Sequence, residues 1–322
     1  MVKLADQRLT DMAKLVSAKK VTPLEFRLHD LPALFQKGGP GAEGYESLTR
    51  ADVLIHVVRV FERNDLAHPK GSVDPQRDLR DFESELRLGD QAVIERRLDR
   101  LDITVRSGKP DERKAGEREQ KLLQTLKEHL EAGRRLSDEI TDQEDLKALA
   151  GFGLLSLKPV LVMLNVGEAQ LDGASELEAE WTERLGSTTT GVGVLCAKLE
   201  AELAELAADE ATEFRKEMGA AEGMVARVLD RASELLGHVT FFTIGEKESR
   251  AWTVLRGASA AQAAGRIHSD IERGFIRAEV IGWEELLRLG SHVEAKKAGK
   301  LRTEGKDYVV QEGDVINVLF NV

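Results

Sequence analysis

Apolar residues along this chain follow two different periods. Near-continuous runs rich in branched residues at Leu24–Asp30 (LEFRLHD), Val53–Val60 (VLIHVVRV), Pro159–Asn165 (PVLVMLN) and Thr189–Cys196 (TTGVGVLC) predict buried parallel strands. Helix-like segments separate them, among them Glu176–Leu185, Leu199–Ala208 and Ala220–Leu236. This alternation predicts an α/β fold whose parallel sheet is covered on both faces, with ligands held at the carboxyl ends of the strands.

From Pro75 to Ala150 the apolar positions take helical and heptad-like spacings instead: Leu79, Phe82, Leu86, Val93, Leu98, Leu101 and Val105, then Leu123, Leu126, Leu130 and Leu136. The breaker Ser107-Gly108-Lys109-Pro110 divides them, which predicts an antiparallel helical hairpin, a coiled-coil arm inserted into the sheet domain. Its dense Glu, Arg and Lys suit a solvated face, or a partner surface. After Gly237 the pattern shortens. Val239–Thr243, Ala251–Leu255, Phe275–Ile281, Asp307–Val310 and Val315–Phe320 are strand candidates around one amphipathic helix, Ser259–Arg273, with a Gly313-Asp314 turn. A C-terminal α+β unit of the β-grasp type is expected.

The 322 residues, 42% hydrophobic and 32% charged, exceed what one core usually organises. The charge of 46 − 57 = −11 argues against a protein that neutralises nucleic-acid phosphates over its whole surface, and no DNA partner is expected. A local basic patch is compatible with it. The single cysteine, Cys196, excludes a disulfide framework, a thiolate zinc site and an iron–sulfur cluster, and suits a reducing cytoplasm. No apolar run approaches the roughly 20 residues that cross a bilayer, and the start MVKLADQRLT lacks a signal peptide's apolar region. A soluble cytoplasmic protein with no membrane partner is expected.

Two strand ends carry candidate chemistry. Asn165-Val166-Gly167-Glu168 follows the third run; an amide there can bond a purine edge and order nearby loops, while the carboxylate reads exocyclic groups. The same residues also suit an ordinary strand-to-helix turn, where Asn tolerates unusual φ and Glu favours a helix start. Asp30-Leu31-Pro32-Ala33 leads into the glycine-rich Lys37–Gly44; Asp30 could hold magnesium through water beside a mobile switch, or sit in a solvent-exposed turn. A phosphate-cradling loop needs Gly-x-x-x-x-Gly-Lys-Ser/Thr, and every Gly-Lys pair fails: Gly108-Lys109 precedes Pro110, Gly299-Lys300 precedes Leu301 and Gly305-Lys306 precedes Asp307. The seven histidines show no metal-binding pair spacing and no nucleophile elbow accompanies them, so no catalytic residue is assigned. His56 and Cys196 read as core residues, Cys196 with a reactive thiol as the alternative.

The stretches Phe241–Thr253, Ile267–Asp270 and Gly274–Ile281, and the ending Ala298–Tyr308 with Gly313-Asp314-Val315 and Phe320-Asn321-Val322, resemble the C-terminal domain of the YchF/Obg-like ATPases. A looser resemblance runs through Asp6–Leu9, Lys19–Pro23, His56–Arg59 with Phe61-Glu62, Val73–Pro75 and Glu200–Leu206. It implies a P-loop-NTPase-like nucleotide-binding domain (1–75 and 151–237), a coiled-coil insertion (76–150) and a C-terminal TGS domain (238–322). It also implies ATP in preference to GTP, Mg²⁺, ribosome association, and Asn165 with Glu168 as the base-recognition motif. The family's phosphate loop would lie before Met1, and Ala33 stands where its Asp-x-x-Gly motif has glycine. Deleting that loop's central strand would leave Leu24–Asp30 and Pro159–Asn165 facing a gap with unpaired backbone, each buried group costing about 1–3 kcal/mol. A truncated start is therefore favoured over genuine loss of the loop.

Two functions are expected from this sequence: a nucleotide-binding switch unable to hydrolyse ATP in this form, or a non-catalytic adaptor docking on the ribosome or ribosomal RNA through the arm and TGS domain. The adaptor reading rests on Lys296, Lys297, Lys300, Arg302 and Lys306, a local cationic excess that equally suits a solvated loop.

Overall fold

The computed structural model describes residues 1–31, 42–217 and 223–321. Its strands are, in chain order, β1 (Val2–Leu4), β2 (Val21–Thr22), β3 (Leu24–Phe26), β4 (Leu54–Arg59), β5 (Val160–Asn165), β6 (Thr190–Leu195), β7 (His238–Thr243), β8 (Ser249–Leu255), β9 (Phe275–Gly282), β10 (Arg302–Glu304) and β11 (Asp314–Phe320). The chain divides into two compact units, His29–Met224 and Met1–Leu28 with Val225–Val322. Among the described residues no helix is long and apolar enough to cross a membrane.

In the unit His29–Met224, β4, β5 and β6 form a parallel sheet with β5 in the centre. Leu54, Val58, Val160, Val162, Leu164, Val192 and Val194 share a core with Leu79, Phe82 and Leu86 of the long helix Pro75–Ser107 and with Trp181 of helix Ala174–Leu185. The expectation that Leu24–Asp30 joins this sheet is corrected. Only Leu24–Phe26 is extended, and it pairs antiparallel with β1. The reason lies in its alternation: Leu24 and Phe26 are separated by the exposed Glu25 and followed by exposed Arg27, a two-sided pattern unlike a buried parallel strand. Nor does β5 face a gap, since β4 and β6 flank it; β4 and β6 are each paired on one side only among the described residues.

The helix Pro75–Ser107 starts at Asp74, whose carboxylate accepts the Arg77 N–H at 3.0 Å, with Pro75 in the first turn. A second helix, Pro110–Glu131, follows after two residues. Glu95–Lys127 (2.8 Å) and Asp102–Gln120 (2.6 Å) run in opposite directions along the two helices, so they are antiparallel, and Arg97–Glu119 (2.6 Å) links them between. Ile94, Leu101, Leu123, Leu126 and Leu130 fill the seam and continue into Leu136, Leu149 and Leu154. The hairpin is anchored by Asp90. Its fully buried carboxylate accepts the N–H groups of Leu155 and Ser156, both at 2.7 Å, and the Ser156 hydroxyl at 2.5 Å. These groups stand in the turn that leads into β5.

The second unit holds a six-stranded mixed sheet in the order β10-β9-β11-β7-β8-β2. Helix Ala260–Ile267 covers one face, its Ala260 and Ala263 sharing a core with Val280 of β9 and Ile316 of β11. Leu9 and Met12 of helix Gln7–Leu15, Leu286 of helix Trp283–Leu289 and Ala295 of helix His292–Lys297 cover the other. The expected grouping of 1–75 with 151–237 differs from this division at its start: Met1–Leu28 belong with Val225–Val322, because β2 adds its backbone to β8 and Leu9 and Met12 are buried beside Phe242. Ser259–Arg273 is two helices, not one: His268 is extended, and its ring nitrogen accepts the Asp270 N–H at 3.1 Å to cap Ser269–Arg273. Asp307–Val310 is no strand; Val309 makes only an isolated bridge to Ser259. The Gly313-Asp314 turn needs its glycine: Gly313 has φ +80°, and a side chain there would overlap the Trp283 ring.

Candidate functional site

The carboxyl ends of β4, β5 and β6 stand level, joined by Val60 N–H to Asn165 O and Val166 N–H to Leu195 O, both at 2.8 Å. Three loops therefore converge there. Asn165 ends β5, and its side-chain Oδ1 accepts the Ala197 N–H at 3.0 Å, tying the β5 loop to the start of helix Ala197–Leu203. The Asn165 Nδ2 group has no partner among the described residues and keeps two donors for a ligand. Gly167 donates to Gln170 Oε1 at 2.9 Å, a turn that opens the short 3₁₀ segment Glu168–Gly173 at Glu168.

Glu168 is exposed and ion-paired with Lys198 at 2.7 Å, and Lys198 also lies 3.6 Å from Glu202. The hydrogen bond to Glu168 raises the Lys198 pKa. From the β4 side comes Phe61, whose Cβ sits 3.4 Å from where a side chain at Gly167 would begin. Arg59 stacks over the Phe61 ring at 4.6 Å and donates to Phe61 O and Leu66 O at 3.0 and 2.9 Å. The corner so formed has a directed amide, a carboxylate–ammonium pair and an aromatic wall. Phe61 and Lys198 were not singled out by spacing; the signal available was that each follows a strand within the same parallel set.

Of the other expected site residues, Asp30 lies four residues beyond β3, exposed and without a partner among the described residues. Ala33 and the glycine-rich segment Lys37–Gly41 fall outside the described residues. No group of three or more His, Cys, Asp or Glu able to hold a metal occurs among the described residues. Asp30 alone suits one water-mediated contact to Mg²⁺, an ion that commonly takes one or two carboxylates and completes its shell with water and phosphate oxygens. Cys196 is buried at the N-cap of helix Ala197–Leu203, with its N–H 3.3 Å from Met224 Sδ.

The histidines are less scattered than their sequence positions suggest. His68, in the segment after β4, holds Asp78 at 3.0 Å, and His56 on β4 feels the same carboxylate. His56 stacks on Phe82 with ring centroids 4.0 Å apart; its Nδ1 is enclosed without a partner, and burial lowers its pKa to about 4. A cavity of about 150 Å³ lies at the opposite, amino ends of β5 and β6, beside Val160 and Thr190. Arg135 there bonds Thr190 Oγ1 at 2.5 Å and Lys158 O at 2.8 Å.

The basic cluster is largely engaged. Lys297 pairs with Glu294 at 2.8 Å and Lys300 with Glu285 at 3.7 Å. Arg302 stacks over Tyr308 at 5.2 Å and lies 3.4 Å from the buried Asp314, which also accepts the Tyr308 hydroxyl at 2.8 Å. Arg302 is thus built into the domain. Lys296 and Lys306 are exposed and have no ion-pair partner among the described residues.

Residues 238–321 match the family model YchF-GTPase_C, described as a protein of unknown function (DUF933). Over its whole length the chain is 38% identical to the ribosome-binding ATPase YchF of Bacillus subtilis (strain 168), covering 88% of that protein. It is 34% identical to Obg-like ATPase 1 of Oryza sativa subsp. japonica, again over the whole chain and 82% of the relative. The solved structure of the Schizosaccharomyces pombe YchF GTPase superposes with a TM-score of 0.85 at 27% identity, covering 99% of this chain and 86% of that one.

Proposed function

Because this chain belongs to the YchF/Obg-like ATPase family, we propose that it is a cytoplasmic, ribosome-associated nucleotide-binding switch whose 322 residues recognise adenine without hydrolysing ATP. The observation that carries the reading is the Asn165 side chain, with Oδ1 fixed by Ala197 and Nδ2 left to donate. In this reading Nδ2 donates to a ring nitrogen of the purine and Glu168 accepts from the exocyclic amine. Phe61 gives the ring an apolar wall, and Lys198 pairs with Glu168 at 2.7 Å. Asp30 would face the Mg²⁺ that accompanies the nucleotide, through water; when bound, that ion neutralises phosphate charge. Phosphate affinity is where this chain is poor: no Gly-x-x-x-x-Gly-Lys-Ser/Thr sequence is present, so no such loop of amides wraps the triphosphate. The helical hairpin is read as a coiled-coil arm and the unit around β7–β11 as a TGS β-grasp domain, both available to a ribosomal partner.

Ribosome co-sedimentation with and without ATP tests the switch. Association should change by at least threefold on adding ATP, and Asn165→Ala should abolish the change while leaving basal association intact. Association indifferent to ATP in the parent protein would favour the adaptor.

A further inference from the structure

In the C-terminal sheet, β7 and β11 are paired at a single position, Phe242 with Val315, and then part. A cavity of about 200 Å³ opens where they diverge, lined by Thr243, Ile244, Ile267, His292, Ile316 and Asn317 among others. Its walls come from both sides of the sheet: Ile267 and Ile316 belong to the core under helix Ala260–Ile267, Ile244 to the core on the other face. The opening is therefore a slot with Ile267 and Ile316 on one side and Ile244 on the other, able to take a flat ring, with Glu248 also in its lining. Gly313 donates its N–H to Thr240 O, so by the two-residue period of a strand the backbone of Val315 and then Asn317 is turned toward the β7 side, into the slot.

Polar groups stand at the slot with capacity to spare. Asn317 donates Nδ2 to Glu279 at 3.1 Å, leaving Oδ1 without a partner among the described residues. His292 has no hydrogen-bond partner among them either, and burial lowers its pKa, so its neutral ring offers one donor and one acceptor. On the helix His292–Lys297, Lys296 follows His292 by four residues and so lies on the same face; it is exposed and has no ion-pair partner among the described residues.

We propose that this slot receives one unstacked base of single-stranded RNA, its edge bonded by His292 and Asn317 and its phosphate neutralised by Lys296. Splayed bases entering apolar slots with hydrogen bonds on their edges are the usual means of reading single-stranded RNA. The inference rests on the ribosome-association reading and gives that association a contact of defined chemistry.

The test is fluorescence anisotropy of the full 322-residue chain with a labelled eight-nucleotide single-stranded RNA and with an abasic sugar–phosphate oligomer of the same length. The intact RNA should bind roughly tenfold tighter than the abasic one, in line with base contacts measured in other single-strand binders. Asn317→Leu, at an exposed position, and the milder His292→Gln should each narrow that ratio. Lys296→Ala should instead weaken both oligomers alike and reduce the salt slope by about one. Equal binding of intact and abasic RNA, no binding of either, or a ratio unmoved by both slot variants would overturn the proposal. Co-sedimentation with ribosomes that persists in any of these cases would reject the slot alone and leave the parent reading standing.

Discussion

Asp90→Ala is expected to lower the unfolding free energy by about 3–5 kcal/mol, enough to consume a large share of an ordinary domain's stability. The side chain is fully buried and satisfies two backbone N–H groups and a hydroxyl of the Leu155-Ser156 turn. Alanine leaves all three donors enclosed with no acceptor. The damage should also reach the sheet, because this turn delivers the chain into β5, whose far end carries Asn165. Asp90→Asn retains one acceptor oxygen but turns an NH₂ toward donors, so a smaller loss is expected. Urea midpoints followed by circular dichroism measure both. A loss below about 1 kcal/mol for the alanine variant would mean that water replaces the carboxylate and that the hairpin is anchored elsewhere.

Acidification from pH 7 to pH 4.5 is expected to remove about 2 kcal/mol of stability through His56 alone. Burial holds the folded-state pKa near 4, below the ordinary 6.5, against the raising influence of Asp78. Between those values the unfolded chain binds the proton and the folded chain does not. Stability from this group is therefore fully present above pH 6.5 and is lost as pH falls toward 4. His56→Leu keeps an apolar contact to Phe82 and removes the titration. The stability of the parent relative to the variant should rise by that amount on going from pH 4.5 to pH 7. A difference independent of pH would show that His56 is hydrated when folded.

Much of this architecture was written in periodicity. The continuous runs at Val53–Val60, Pro159–Asn165 and Thr189–Cys196 are β4, β5 and β6 to within a residue at either end; β5 is buried on both faces and admits few polar residues, whereas β4 leaves Val57 exposed. The Ser107–Pro110 breaker falls where the two long helices meet, since glycine and proline end helices for local reasons. Leu24–Asp30 departs from the expectation because its branched and aromatic residues suggest a buried run, while its alternation belongs to a short antiparallel strand. That β2 joins β8 and that Leu9 and Met12 pack beside Phe242 could not be read from two-residue strands and a nine-residue helix, as the partners stand at the other end of the chain. At the candidate site, Asn165 and Glu168 were visible as a spaced pair. Phe61 and Lys198 were not, since only folding sets the three strand ends level. Arg302 looked like part of a free cationic surface and is instead bound to Tyr308 and Asp314, a reminder that charge counts do not see ion pairs.

The proposed function has this polypeptide read a purine and gain little from phosphate. Calorimetry with adenosine and with ATP plus Mg²⁺, on the same 322-residue protein, measures that directly. Weak binding of both is expected, with dissociation constants within about threefold of each other (under 1 kcal/mol) and heats lost in Asn165→Ala. ATP bound a hundredfold more tightly than adenosine, or turned over, would contradict it.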